Sequence, residues 1–405
     1  MTISKKRCAL LVSAMIVAAV YAGYFLVCAS PSGPIEAAEV GPQPAGSIAP
    51  FEEALTFARL GAAGGSETLL LVTGEAEDAV VGIDLAPLLG GQAGDAFDAI
   101  RRLGRPALIE LARNPAGMAR RYGFERLMPA AQGENHIAFG TNFADHGEEV
   151  NNEGVFAFPK FTRPTAALGA FGVDAEAGLF DYEVELCMRF DRDIRSIGDF
   201  DAALKGVFLC GDFTDRAALL RNLPDEENLS GLGFSDAKSG LGRMPTGPYL
   251  VVPEDWRRFV SEEAIATVRN GTPMQSGSGA EMILDFRQMA GFVLEAGNAA
   301  RWMFEGRPVP LTPEGVIRQG TVLLSGTPAG ILFRPPTERE IGCGAVAYVC
   351  LAGFLSVASP RDYVIERAIE RGLESRRFLQ PGDRVEHSSS RLGRIAIAVI
   401  ATPPE

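Results

Sequence analysis

Asp181-Tyr-Glu-Val-Glu-Leu-Cys-Met-Arg-Phe190 is an apolar run with acids at two alternate positions. In a strand, residues i and i+2 share a face about 7 Å apart, so Glu183 and Glu185 point one way and Val184 and Leu186 the other. Adjacent carboxylates repel, and a cation between them is one physical reason to keep the pair. A solvent-facing strand edge is the other reading of the same alternation. A third acid, Asp212, ends the next apolar strand, Val207-Phe-Leu-Cys-Gly-Asp-Phe213. An acid there is costly unless paired. Three carboxylate oxygens suit a hard ion, Mg2+, Mn2+ or Ca2+, better than zinc.

Further strand-like runs flank this string: Ile137–Phe143, Val155–Phe161, Tyr249–Val252, Val322–Gly326 and Arg394–Ile400. Gly and Pro turns break them, and few long amphipathic helices intervene. The pattern points to a β-rich α+β fold and away from a doubly wound parallel sheet. Phe51 to about Pro129 reads as a small α+β module. It has strand-like runs at Leu69–Gly74 and Val80–Leu85 and helical spacing over Ala96–Leu103 and Pro106–Arg113. No glycine-rich phosphate loop follows a strand, so nucleotide binding has no support.

The 405 residues leave room for roughly two to three domains. At 47% hydrophobic and 22% charged, the chain can bury a core, which excludes disorder and low complexity. The net charge is −13, and three of the positive residues (Lys5, Lys6, Arg7) precede the first acid, Glu36. So acidic a body gives no footprint for nucleic acid. Six cysteines in this length form no disulfide framework; Cys187, Cys210, Cys343 and Cys350 lie in apolar stretches and read as buried thiols.

Cys8–Ala29 is an uncharged run long enough for a membrane helix. It reads as an uncleaved anchor over residues 1–30, with a cleaved signal as the alternative. The Lys5-Lys6-Arg7 cluster then leaves the body on the non-cytoplasmic side of the cell membrane after one N-terminal pass, or secreted or periplasmic after cleavage. Residues 31–50, rich in Pro, Gly, Ser and Ala, read as a linker. The expected organisation continues with a small domain at 51–130 and a catalytic domain at 131–405.

Two more strings carry chemistry. In Thr141-Asn-Phe-Ala-Asp-His-Gly-Glu-Glu149, one helical turn would bring His146 and Glu149 together, and a carboxylate can raise the basicity of a water-activating histidine. Alone, such a histidine is more often a surface or capping group; His136 and His387, with no such partner, read as structural. Leu323-Leu-Ser-Gly-Thr-Pro-Ala-Gly330 ends a strand in a turn that is either ordinary or a cradle for a carboxylate. Lys238 is a candidate electrostatic stabiliser.

Together and in this order, these strings resemble the fumarylacetoacetate hydrolase (FAH) family. The carriers are Asn142-Phe143-Ala-Asp-His146-Gly-Glu-Glu149, Phe158-Pro-Lys160, Asp181-Tyr-Glu183-Val-Glu185 and Gly211-Asp212-Phe-Thr214-Asp-Arg216. Lys238 ahead of Gly247-Pro248, Gly326-Thr327-Pro328-Ala-Gly330 and Leu379-Gln-Pro381-Gly382-Asp383 complete the series. The resemblance covers roughly Ile137 to the C-terminus. It implies a mixed β-sandwich roll with a small N-terminal domain, usually a homodimer. It implies a divalent metal on Glu183, Glu185 and Asp212, and C–C bond cleavage in a 2,4-dioxo acid or related 2-oxo acid. His146 and Glu149 would activate water and Lys238 would stabilise the leaving enolate. Phe143, Lys160, Arg216, Gly326 and Thr327 would line the substrate site. Relatives that hydrate, decarboxylate or isomerise 2-oxo-enoates often lack the dyad, so its presence favours hydrolysis; a tethered binding protein without turnover is the reading from another class.

The chain departs from the family pattern in two ways. Phe143 stands for the usual Tyr, Ala217, Ala218 and Leu219 follow Arg216 where polar residues are common, and Gly279 stands where a Thr is common. A less polar pocket and a more apolar substrate tail are expected. The second departure is an insertion over residues 331–378, holding the uncharged run Ile341–Ser359 and an amphipathic stretch over Asp362–Phe378. The uncharged run reads as a buried strand or helix, or as a flap on a membrane surface; it is not read as a span. The insertion leaves directly after Gly330 and is expected beside the pocket mouth as a wall or lid.

Overall fold

A computed structural model describes residues 40–402 apart from 42, 62–66, 92–93, 153, 224–230, 351–354 and 356–358. The chain divides into a body of Ala38–Phe333 with Arg377–Glu405 and a unit that contains Arg334–Arg376.

The body opens with β1 (Ala54–Gly61), β2 (Glu67–Ala76) and β3 (Ala79–Asp84), an antiparallel meander. α1 (Ala96–Leu103) starts at Asp95, whose carboxylate accepts from Phe97 N, and α2 (Arg105–Arg113) carries a proline in its first turn, where a missing N–H costs nothing. β4 (Arg120–Gly123) and β5 (Leu127–Met128) return to β3 and β1. Then come β6 (Asn135–Gly140), α3 (Ala144–Glu149), β7 (Phe156–Phe161), β8 (Leu168–Val173), β9 (Phe180–Asp181), β10 (Val184–Phe190), α4 (Ile197–Ala202) and β11 (Lys205–Gly211). They are followed by β12 (Thr214–Asp215), α5 (Arg216–Asn222), α6 (Phe234–Lys238), β13 (Tyr249–Pro253), α7 (Trp256–Glu262), β14 (Ala264–Arg269), β15 (Thr272–Ser278) and α8 (Phe286–Ala296). β16 (Trp302–Phe304), β17 (Arg307–Val309), β18 (Leu323–Leu324), then after the second unit β19 (Arg384–Ser389) and β20 (Arg394–Ala401), complete the body.

An 11-stranded sheet runs β4-β3-β2-β1-β13-β11-β10-β18-β6-β7, with β5 on β1. The early meander is thus continuous with the later strands through the β1–β13 pairing. A five-stranded sheet runs β15-β14-β19-β20-β8. Both are mixed: β18 pairs β6 in parallel, and β20 pairs β8 in parallel. Val184, Leu186, Met188, Phe208, Val385, Ile395 and Phe213 are buried in the core. Every residue of β10 and β11 is buried, so the Glu183–Glu185 strand is central and no solvent-facing edge.

The cysteine expectation is corrected. Cys187 and Cys210 are buried, but they are joined as a disulfide. Cys187 lies opposite Phe208 and Cys210 opposite Glu185, so the two are diagonal neighbours on one sheet face, within reach of each other. Cys343 is disulfide-bonded as well.

The membrane expectation is also corrected. Among the described residues no helix is long and apolar enough to cross a membrane. Cys8–Ala29 and residues 31–39 and 42 of the expected linker lie outside the described residues. The later part of that linker lies on the body: Gly41 N donates to Ser276 Oγ at 2.7 Å and Ser47 N to Ser390 O at 2.9 Å.

In the second unit, α9 (Glu338–Cys350) packs against α10 (Pro360–Ser375). A Cβ at Gly344 would come within 2.6 Å of Val364 Cγ2, so a glycine lets the helices approach. Tyr348 and Tyr363 meet edge to face, and Arg371 pairs with Glu340. α10 starts at Ser359, whose side chain accepts from Asp362 N. The uncharged run is therefore helical over its described part up to Cys350.

Candidate active site

The site is built on the ends of β10 and β11. Asp212 N donates to Glu183 O, which sets the two acids side by side just beyond the regular ladder. Glu185 lies one pleat further along β10, on the same face. Ligand oxygens of Glu183, Glu185 and Asp212 all lie within 4.8 Å of one another, and all three residues are buried.

Cations hold the acids. Lys238, at the end of α6, donates to Glu183 Oε2 (2.6 Å) and Asp212 Oδ2 (2.7 Å). Lys160, on β7, donates to Asp212 Oδ1 at 2.6 Å and to the Lys238 carbonyl. Arg216, opening α5, donates to Glu183 Oε1 (2.5 Å) and Asp181 Oδ2 (2.9 Å). Burial alone would raise the Glu183 carboxyl, but Lys238 and Arg216 bring it down to about 2. Burial would likewise lower Lys238, yet Asp212 and Glu183 keep it above the usual lysine range.

Glu185 behaves differently. Burial first, then the charges of Asp212 and Glu183, push its carboxyl well above the usual range. Its Oε2 accepts from Gly326 N at 2.8 Å, while its buried Oε1 has no partner. A buried carboxylate with an orphaned oxygen, grouped with two further carboxylates, is what a hard divalent cation would satisfy, so the residues fit the metal the sequence implies.

His146 and Glu149, both on α3, lie 3.0 Å apart at Nδ1 and Oε2. His146 is close enough to Glu183 for its charge to act on that carboxyl. Two further contacts join α3 to the turn after β18: Gly330 N donates to Glu149 Oε1 (3.1 Å) and Ala329 N to Asp145 Oδ2 (3.2 Å). Thr327 Oγ1 donates to Val184 O and accepts from Gln275 Nε2, each at 2.9 Å. Phe143, fully buried, precedes α3 and bridges to Met282. The eleven residues named from sequence therefore cluster in one region. Lys160 and Arg216 are engaged by protein carboxylates, and Gly326 N by Glu185.

Sequence reasoning gave no role to several partners. Asp181, fully buried, accepts from Arg216 and from Leu332 N and Phe333 N. Gln275 also accepts from Val184 N and from Thr267 Oγ1, whose oxygen meets His387 Nδ1 at 2.9 Å. Asn142 bonds Leu284 and Ser325. Asp181 and Asn142 stand inside the quoted motifs, which was the available signal; Gln275 does not. Gly279 is no gap in pocket polarity: a Cβ there would sit 2.0 Å from Val260 O, so close packing explains the glycine.

The profile of the Fumarylacetoacetate (FAA) hydrolase C-terminal family matches residues 135–400. The chain belongs to that family. A relative, an uncharacterized protein of Staphylococcus aureus (strain USA300), is 26% identical over 278 residues, 67% of this chain and 70% of its own length. The fumarylacetoacetate hydrolase of the psychrophilic Exiguobacterium antarcticum shares the fold with TM-score 0.54 at 18% identity, over 86% of this chain and 100% of that one. A 5-carboxymethyl-2-hydroxymuconate delta-isomerase of Mycobacterium smegmatis does so with TM-score 0.52 at 15% identity, over 86% and 100%.

Proposed function

We propose that this FAH-family chain is a divalent-metal-dependent hydrolase that cleaves a carbon–carbon bond in a 2,4-dioxo acid of the acylpyruvate type. One observation carries the reading: an all-carboxylate triad with an orphaned oxygen stands beside a histidine–carboxylate dyad. Bound at Glu183, Glu185 and Asp212, Mg2+, Mn2+ or Ca2+ would supply Lewis-acid polarisation of the 2-oxo acid unit. Lys160, Lys238 and Arg216 hold the carboxylates in place. Glu149 engages His146 Nδ1, which leaves Nε2 as the basic nitrogen. His146 takes a proton from water as the water oxygen adds to the distal (C4) carbonyl. The C3–C4 bond then breaks, its electron pair staying on C3 as an enolate, and His146 returns the proton to C3. One carboxylic acid and pyruvate leave. The Lys238 ammonium stabilises the enolate, and the Gly326–Thr327 turn with Phe143 borders the substrate.

Isomerisation and decarboxylation consume no water, and relatives that isomerise, hydrate or decarboxylate 2-oxo-enoates often lack such a dyad, so the His146–Glu149 contact favours hydrolysis. Turnover of acetylpyruvate, oxaloacetate and 2-hydroxypenta-2,4-dienoate with Mg2+ or Mn2+ tests the assignment. Acetylpyruvate should give acetate and pyruvate; exclusive turnover of either other compound would replace hydrolysis with the chemistry of that compound. The same reading carries a homodimer, to be checked by sedimentation.

A further inference from the structure

The charge of the site limits which 2-oxo acid it accepts. Asp181, Glu183, Glu185 and Asp212 are four buried acids; Lys160, Lys238 and Arg216 are the three buried cations bonded among them. A divalent ion on the triad leaves this cluster with one net positive charge, which one substrate carboxylate neutralises. A second carboxylate would need a cation of its own.

The three cations are already engaged. Lys160 is fully buried between Asp212 and the Lys238 carbonyl. Lys238 bridges two ligand carboxylates. Arg216 bonds Asp181 and Glu183, and the Phe333 ring lies 5.4 Å from its guanidinium. α5 continues from Arg216 into Ala217, Leu219 and Leu220, all buried and all without a polar side-chain atom. On the other side, α3 brings two further acids to the turn after β18: Asp145 on Ala329 N and Glu149 on Gly330 N. A distal carboxylate would thus meet apolar groups or like charge.

Another basic group, Arg243, lies within electrostatic reach of Asp212. Arg243 stacks near Phe171 (5.4 Å) and Phe180 (5.1 Å), and its buried Nη1 has no hydrogen-bond partner. Of the charges it faces, Asp212 is already counted in the cluster, and Asp215 lies outside it and offsets the guanidinium charge for charge.

We propose that the site selects 2-oxo acids with a single carboxylate and an uncharged tail, and discriminates against dicarboxylates. This rests on the 2-oxo acid reading of the site. A matched pair tests it: 2-oxopentanoate and 2-oxoglutarate have the same carbon chain and differ by the terminal carboxylate. Binding of each to the full, Mn2+-loaded chain is followed by calorimetry at low and high salt, with no turnover required. 2-Oxopentanoate should bind about ten-fold more tightly at low salt, with the gap narrowing as salt screens the like charges. Equal or tighter binding of 2-oxoglutarate overturns the selectivity while leaving the 2-oxo acid reading intact. If Arg243→Met then removed that affinity, Arg243 would be the receiving cation. Binding of neither compound overturns both the selectivity and the reading beneath it.

Discussion

At the scale of single residues, the proposed function assigns metal binding to the triad and proton transfer to the dyad, and the two can be tested apart. Glu185→Gln keeps an acceptor for Gly326 N but removes the charge a cation needs. Mn2+ affinity should fall on the order of 100-fold, read by calorimetry on the purified variant. Unchanged affinity would remove Glu185 from the ligand set. His146→Ala or Glu149→Gln should instead lower kcat by ~10²–10⁴ while Mn2+ affinity stays near wild type. Loss of metal in His146→Ala would make that histidine a ligand or a structural group. Gln275 acts at one remove, since its amide ties Val184 N to Thr327 and Pro328. Gln275→Leu leaves buried donors unpaired at about 1–3 kcal/mol each. The triad was legible because alternation alone sets Glu183 and Glu185 on one face. Gln275 was not, because its partners lie 91 and 52 residues away and only the fold brings them together.

At the scale of elements, the turn after β18 must thread between two sheets and α3. Gly330 has φ +107, and a Cβ there would lie 1.9 Å from Met274 O. Gly330→Ala should therefore strain the backbone and displace β15, costing on the order of 2–4 kcal/mol. A urea midpoint equal to wild type would show that the turn has room to relax. Since Gly330 N also holds Glu149, the same variant should lower kcat more than it weakens Mn2+ binding. Elements with strong local signals were readable: α1 spans the expected Ala96–Leu103, and the runs around Leu69 and Val80 are strands. β8, β14 and β15 were not. Leu168-Gly-Ala-Phe-Gly-Val173 and Thr272-Pro-Met-Gln-Ser-Gly-Ser278 are rich in small and polar residues, and their strand state comes from partners distant in sequence.

At the scale of the whole molecule, buried neutral histidines link the fold to pH. His136 is buried with Nδ1 accepting from Val322 N, and His387 is fully buried with Nδ1 against Thr267. Burial, then the Lys160 charge, lowers His136 to about 4. Burial lowers His387 to about 3. Both lie below the unfolded value near 6.5, so the folded state binds fewer protons between those values. Above pH ~6.5 neither histidine is charged in either state, and stability is intact. As pH falls from ~6.5 toward 4, the unfolded chain takes up protons that the fold refuses, and stability drops by up to about 1.4 kcal/mol per unit and per histidine. Glu185 and Glu263, whose carboxyls burial raises, act in the opposite sense, so the measurement must be a difference. His136→Asn and His387→Asn each keep a neutral amide near Nδ1 and remove the titration. Urea midpoints at pH 7.5 and pH 5 should show wild type losing about 2 kcal/mol more than either variant over that interval. Parallel pH profiles for wild type and both variants would show that these histidines titrate as freely in the fold as in the open chain.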